Sequence, residues 1–132
     1  MIILFKPGAA FAERVKTQFE TYGRQDLAWA GYALPYEEML VEASKDPVKR
    51  ETGWMTRTHP LLLENGKILL PLYSDGFNFG LIARSEDDGA TWQCSLPIVG
   101  RGLNQPSLVA RSDGTILAYM RDDGDEPGRI LT

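Results

Sequence analysis

The chain has 132 residues, the size of one ordinary domain, and its 43% hydrophobic and 24% charged residues fit a folded core rather than a disordered tract. The formal net charge is −4, and residues 51–132 carry eleven acids against seven bases while residues 1–50 balance at seven each, which argues against a nucleic-acid partner. A single cysteine, Cys94, and a single histidine, His59, exclude an internal disulfide, a cysteine-cluster metal site and a two-histidine zinc motif, and no apolar run nears the ~18 residues of a membrane span.

In chain order, Met1-Ile2-Ile3-Leu4-Phe5 reads as a strand. It is too short for a secretory signal and no basic residues precede it; the compartment stays open. Phe11, Val15, Phe19 and Tyr22 fall on one helical face, although Val15 to Phe19 can also alternate as a strand. Length and the absence of Gly and Pro favour a helix there. Trp29 with Leu34-Pro35 echoes Trp92 with Leu96-Pro97, which suggests the tail of an earlier, degenerate unit. Tyr36 to Ala43 has short-helix character, broken at Lys45-Asp46-Pro47.

From about residue 54 onward, short apolar runs alternate with Gly, Asn and Asp turns, the pattern of antiparallel hairpins. Leu61-Leu62-Leu63 and Lys67 to Tyr73 are predicted strands joined by Glu64-Asn65-Gly66, with Asn-Gly expected to make a two-residue turn. Asn78 to Ser85 is a third strand, and Glu86 to Thr91 turns the chain into a fourth around Trp92. The same order returns downstream: Pro106 to Arg111, then Ser112-Asp113-Gly114, then Thr115 to Arg121. Pro60 and Pro106 are 46 residues apart, Gly66 and Gly114 are 48 apart, and a period near fifty with four strands per unit is that of β-propeller blades. The second unit stops at Gly128 to Thr132, inside its expected third strand. The expected fold is therefore all-β and mainly antiparallel, with about two four-stranded blades and a short helical N-terminal segment in one domain, 1–132. Within it, 1–52 is a degenerate blade or N-terminal segment, 53–100 a blade and 101–132 an incomplete following blade.

Ser85-Glu86-Asp87-Asp88-Gly89-Ala90-Thr91-Trp92 fits S-x-D-x-G-x-T-W at all five specified positions. It resembles the Asp-box, or bacterial neuraminidase repeat, of the sialidase-like β-propellers. The residues explain their own places: Asp87 can accept from turn amides, Gly89 can take a backbone conformation closed to other residues, Ser85 and Thr91 hydroxyls can tie the hairpin ends, and Trp92 can bury a large surface. These are structural tasks, so the acidic cluster is not read as a catalytic pair. The likeness runs over roughly residues 53–132, through Gly53-Trp54, His59-Pro60-Leu61, Asn65 to Asp75, and Asn104-Gln105-Pro106 to Met120-Arg121.

The resemblance implies carbohydrate recognition, with hydrolysis of an acidic sugar as the activity of a complete propeller. Classical sialidases grip the substrate carboxylate with three arginines and use a tyrosine nucleophile, a glutamate partner and an aspartate acid/base. In many of them an Asn-Glu pair is followed nine residues later by Gly and then by Met-Arg. Here Gln105 stands at the glutamate position and Arg121 at the arginine position. A glutamine amide cannot act as a general base. Arg121 is the first candidate for carboxylate binding, the alternative being a salt bridge with Asp122, Asp123 or Asp75; Arg57 is the second. Catalytic candidates are His59, Tyr73 and Gln105. Some propeller-shaped polysaccharide lyases resemble sialidases in outline and work with His, Tyr and Arg, so His59 with Tyr73, Arg57 and Arg121 forms an alternative set. Tyr119 and Asp122 also lie at strand ends, Trp54 packs or stacks on sugar, and Cys94 reads as a packing residue.

No P-loop, dinucleotide, EF-hand or nucleophile-elbow pattern is present, so no cofactor and no metal is implied. The expected partner is a glycan or other acidic carbohydrate, with no nucleic acid and no membrane. A non-catalytic glycan-binding or assembly module remains the other reading. Propellers close with about 4–8 blades, so a chain with fewer than three is expected to belong to a longer protein or to self-associate to cover open sheet edges.

Overall fold

The computed structural model describes residues 6–23, 27–99 and 103–121, with backbone alone for residues 23 and 27–33. The expected strand at Met1 to Phe5 and the incomplete strand at Gly128 to Thr132 lie outside the described residues. Helix α1 spans Phe11–Gln18 and runs into a wider π turn, Phe19–Gly23; α2 spans Leu27–Lys45 and α3 Pro47–Glu51. Strands β1 (Leu61–Leu62), β2 (Ile68–Ser74), β3 (Phe79–Ser85) and β4 (Gln93–Cys94) form one antiparallel sheet in that order, and β5 (Asn104–Ala110) pairs with β6 (Ile116–Arg121) in a second.

The expectation of an all-β chain is corrected to a mixed one: the antiparallel part holds from β1 onward, and the first fifty residues supply helices. The reason lies in the apolar face of α1. Phe11, Val15 and Phe19 recur at helical spacing and are almost wholly buried, 0%, 0% and 1% exposed. Residues 27–45 do not form the tail of an earlier blade; they are one helix that carries Pro35 in its interior. Pro35 withdraws one backbone donor, yet tertiary packing keeps the helix, with Leu40 and Ser44 buried one turn apart and the Ser44 hydroxyl donating to the Leu40 carbonyl at 2.7 Å. The break at Lys45-Asp46-Pro47 is a helix restart: Asp46 caps α3, accepting from Val48 N and Lys49 N, with Pro47 in the first turn.

Alternation along the strands gives the four-stranded sheet two covered faces. Leu70, Leu72, Phe79, Leu81 and Ala83 share one core with Phe11, Val15, Phe19 and Leu40, so the helices lie on that face. Phe11 meets Trp54 and Phe77 edge-on at 5.9 and 5.7 Å, and Trp54 stacks on Phe77. On the opposite face, Gly80 sits against Pro106 and Met120: a methyl group there would lie 3.2 Å from Pro106 Cδ and 2.9 Å from Met120 Cε. Helices, four-stranded sheet and two-stranded sheet therefore stack as three layers.

Both first hairpins use one turn design, 48 residues apart. Leu63 N donates to Lys67 O and Gly66 N to Leu63 O; Arg111 N donates to Thr115 O and Gly114 N to Arg111 O. Asn65 and Asp113 each accept from the amide two residues on. Only the glycines, Gly66 at φ 81° and Gly114 at φ 84°, are left-handed. This is a three-residue loop with a glycine bulge, not the expected two-residue turn, because Asn65 keeps negative φ and its side chain caps the turn instead.

Candidate functional site

Ser85, Asp87, Gly89 and Thr91 form a closed hydrogen-bond set in the β3–β4 turn. Asp87 Oδ1 accepts from the Ser85 hydroxyl at 2.8 Å and from Thr91 N at 2.8 Å, while Oδ2 accepts from the Thr91 hydroxyl at 2.6 Å. Ser85 Oγ in turn accepts from Gly89 N at 2.8 Å, and Gly89 takes φ 86°. These bonds, the Thr91 hydroxyl foremost, then the Thr91 amide and the Ser85 hydroxyl, hold the Asp87 carboxyl below its ordinary range. Trp92 is half-buried. Its Nε1 donates to Gly89 O at 3.0 Å, folding the ring over its own turn, and the ring packs against the core that the helices share.

The backbone positions of the remaining candidates lie near the seam between the two sheets, and among the described residues no hydrogen bond links their side chains to one another. Tyr73 ends β2, is 9% exposed, and pairs with Gly80 on the face that receives Pro106. Met55 exchanges both backbone hydrogen bonds with Tyr73 at 2.9 Å, which sets Met55 beside the C-terminal end of β2. The Thr58 hydroxyl reaches Pro106 O at 3.3 Å, so Arg57 and His59 flank a residue tied to β5; both are exposed. His59 Nδ1 lies 3.2 Å from the Pro60 carbonyl.

Gln105 sits in an irregularity of the β5–β6 ladder between Asn104 and Ser107, with φ 57°. Left-handed backbone is uncommon for a residue with a side chain and marks bulges at working ends of sheets. Its neighbour Asn104 pairs with Arg121 across the ladder and donates through Nδ2 to Asn78 Oδ1, joining the β2–β3 turn to β5. Asn104 is 7% exposed, and its Oδ1 has no hydrogen-bond partner among the described residues. This Asn78–Asn104 link was not read from the sequence: Asn78 is itself left-handed, at φ 52°, and Asn104 precedes left-handed Gln105, conformations that a sequence does not display. Arg121 ends β6, most of whose residues are half-buried, and is itself exposed; its alternative partners Asp122 and Asp123 lie outside the described residues.

Cys94 is half-buried on the helix side of the sheet, 3.5 Å from Arg14 Nη1; burial pushes its thiol up, with Arg14 opposing. A separate groove of about 370 Å³ lies on the helical layer among Lys16, Glu20, Glu37, Glu38, Glu42 and Lys45. Its carboxylates outnumber its ammonium groups, which suits an acidic ligand poorly. Among the described residues no helix is long and apolar enough to cross a membrane, and no group of three His, Cys, Asp or Glu side chains is placed to hold a metal ion.

The chain matches no protein-family model, no curated protein and no solved structure.

Proposed function

We propose that this chain is a sialidase-like, Asp-box protein, two successive propeller blades packed face to face, that binds an acidic glycan at the strand ends where Arg57, His59, Tyr73, Gln105 and Arg121 lie. The observation that carries this reading is the Asp-box turn: each of Ser85, Asp87, Gly89, Thr91 and Trp92 makes a contact that its residue type is suited to make. The repeated turn at Gly66 and Gly114 supports the division into two units.

Binding is favoured over ordinary sialidase hydrolysis because Gln105 offers an amide where a proton acceptor is needed. Arginine supplies the planar fork that a sugar carboxylate takes through two hydrogen bonds, and Arg57 and Arg121 are both exposed. A second reading, lyase-type cleavage of a uronate glycan, is supported by His59, an exposed imidazole whose Nδ1 lies against the Pro60 carbonyl beside exposed Arg57.

Three substitutions separate the readings. Arg121→Ala is expected to abolish glycan binding. Gln105→Glu is expected to raise hydrolysis of a model sialoside from nothing measurable if the chain descends from a hydrolase. Uronate cleavage lost in His59→Ala favours the lyase, and a wild-type chain that neither binds nor cleaves acidic glycans refutes all three.

A further inference from the structure

We infer that Asn65 is a self-modification site, whose side-chain amide is lost through attack by the Gly66 backbone nitrogen, and that the aspartate product fits the fold while the isoaspartate product does not. Asparagine is among the chemically labile side chains, and the residue that follows it decides how easily it reacts. Gly66 has no side chain to shield its nitrogen, and Glu64, Asn65 and Gly66 are all exposed. The other asparagines of the chain, Asn78 and Asn104, are placed differently. Asn78 precedes Phe79, which is 1% exposed, and Asn104 is itself 7% exposed and precedes Gln105.

In the closed hairpin the nucleophile is held. Gly66 N donates to Leu63 O at 2.9 Å, and Lys67 N holds the Asn65 side chain through Oδ1 at 3.1 Å. Reaction therefore runs through opening of the hairpin, which is a local event because β1 is two residues long and its Leu62 is 72% exposed. Once released, the Gly66 nitrogen gives its proton to a base in solution and attacks Asn65 Cγ; the Cγ–Nδ2 bond breaks, ammonia leaves with a proton from water, and a cyclic imide remains. Water then opens that ring at either carbonyl. Opening on one side restores the backbone with an aspartate side chain; opening on the other routes the backbone through Cβ and Cγ as isoaspartate.

The second hairpin displays the aspartate form. Asp113 stands 48 residues after Asn65 in the same loop and accepts from Thr115 N at 2.9 Å, as Asn65 does from Lys67 N, so a carboxylate serves this turn unchanged. Asp113 also precedes a glycine, but its ionised carboxylate, held low by the Thr115 amide, is a poor target for a nucleophile. Isoaspartate lengthens the backbone, which displaces the Leu63 N to Lys67 O bond and with it the Leu62–Ile68 and Leu61–Leu69 pairs. That product parts β1 from β2.

Peptide mapping by mass spectrometry tests this on the full chain, incubated for weeks in mildly alkaline buffer both folded and in urea. The tryptic peptide that ends at Lys67 holds Asn65 and no other asparagine. It is expected to gain the amide-to-acid mass in two chromatographically distinct forms, several-fold more slowly in the folded chain than in urea and more slowly again in weakly acidic buffer. Asn78 and Asn104 are expected to keep their amides while the chain is folded. Asn65→Gln, whose longer arm closes a ring reluctantly, is expected to stop the reaction at this site. Asn65→Asp is expected to match the wild-type circular dichroism and Tm, and the isolated isoaspartate fraction to melt lower. An Asn65 peptide that keeps its mass in the folded chain, earlier conversion at Asn78 or Asn104, or an isoaspartate fraction as stable as Asn65→Asp would overturn the assignment.

Discussion

Asp87 holds Thr91 with both oxygens of its carboxylate, Oδ1 on the backbone amide and Oδ2 on the hydroxyl. A four-residue span fastened twice at one end and to Ser85 at the other leaves the turn little freedom, and it fixes where Trp92 meets the core. Asp87→Asn keeps the shape but turns an amide N–H toward a donor. We expect it to lower Tm by several degrees in a thermal melt, whereas Glu86→Gln, which disturbs only exposed pairs with Lys67 and Arg84, shifts it little.

Acid should lower the chain's stability through three turn carboxyls. Asp87 is held low mainly by the Thr91 hydroxyl, Asp113 mainly by the Thr115 amide, and Glu86 mainly by its Lys67 hydrogen bond. Each is depressed in the folded state, so its contribution is complete above the unfolded carboxylate range, about 4, and is lost as pH falls through the folded values. Tm measured against pH should drop below about pH 4, with a shallower acid slope in Asp87→Asn. A Tm that rises on acidification would contradict this.

Gly80 is the contact point between the sheets. In Gly80→Ala the new methyl meets Leu72 O and Pro106 Cδ at 3.2 Å as well as Met120 Cε; the methionine can swing away, the backbone carbonyl and the proline ring cannot. The expected cost is about 1–3 kcal/mol by urea unfolding. Wild-type stability in this variant would mean that the sheets do not pack there.

Phe11 tests the helical layer. It is fully buried and touches Trp54, Phe77 and Phe79, so Phe11→Ala should cost about 3–5 kcal/mol. A loss below about 1 kcal/mol would show that the helices are not part of the same cooperative core.

What the sequence made legible was local. The turn at Ser85 to Trp92, the positions of the paired turns at Gly66 and Gly114, and the apolar face of Phe11, Val15 and Phe19 are each written within a few residues. Within residues 27–45, Tyr36 to Ala43 read as helix and is helix, whereas Trp29, Leu34 and Pro35 misled because they imitate a strand-and-turn signal. Asn65-Gly66 misled more finely, since the asparagine side chain caps the loop instead of taking a left-handed backbone. That Tyr73, Gln105 and Arg121 lie along one seam follows from the packing of Gly80 on Pro106, a contact 26 residues apart in sequence that no local pattern encodes.

The central claim is that these strand ends bind an acidic sugar, and residue-resolved NMR tests it most directly. Titrating the labelled chain with a sialic acid or uronate monosaccharide into the tens of millimolar, the account predicts saturable shifts confined to residues 57–59, 73, 104–105 and 121, absent in Arg121→Ala. Shifts confined to the Glu37–Glu42 groove of the helical layer, or none anywhere, would contradict it.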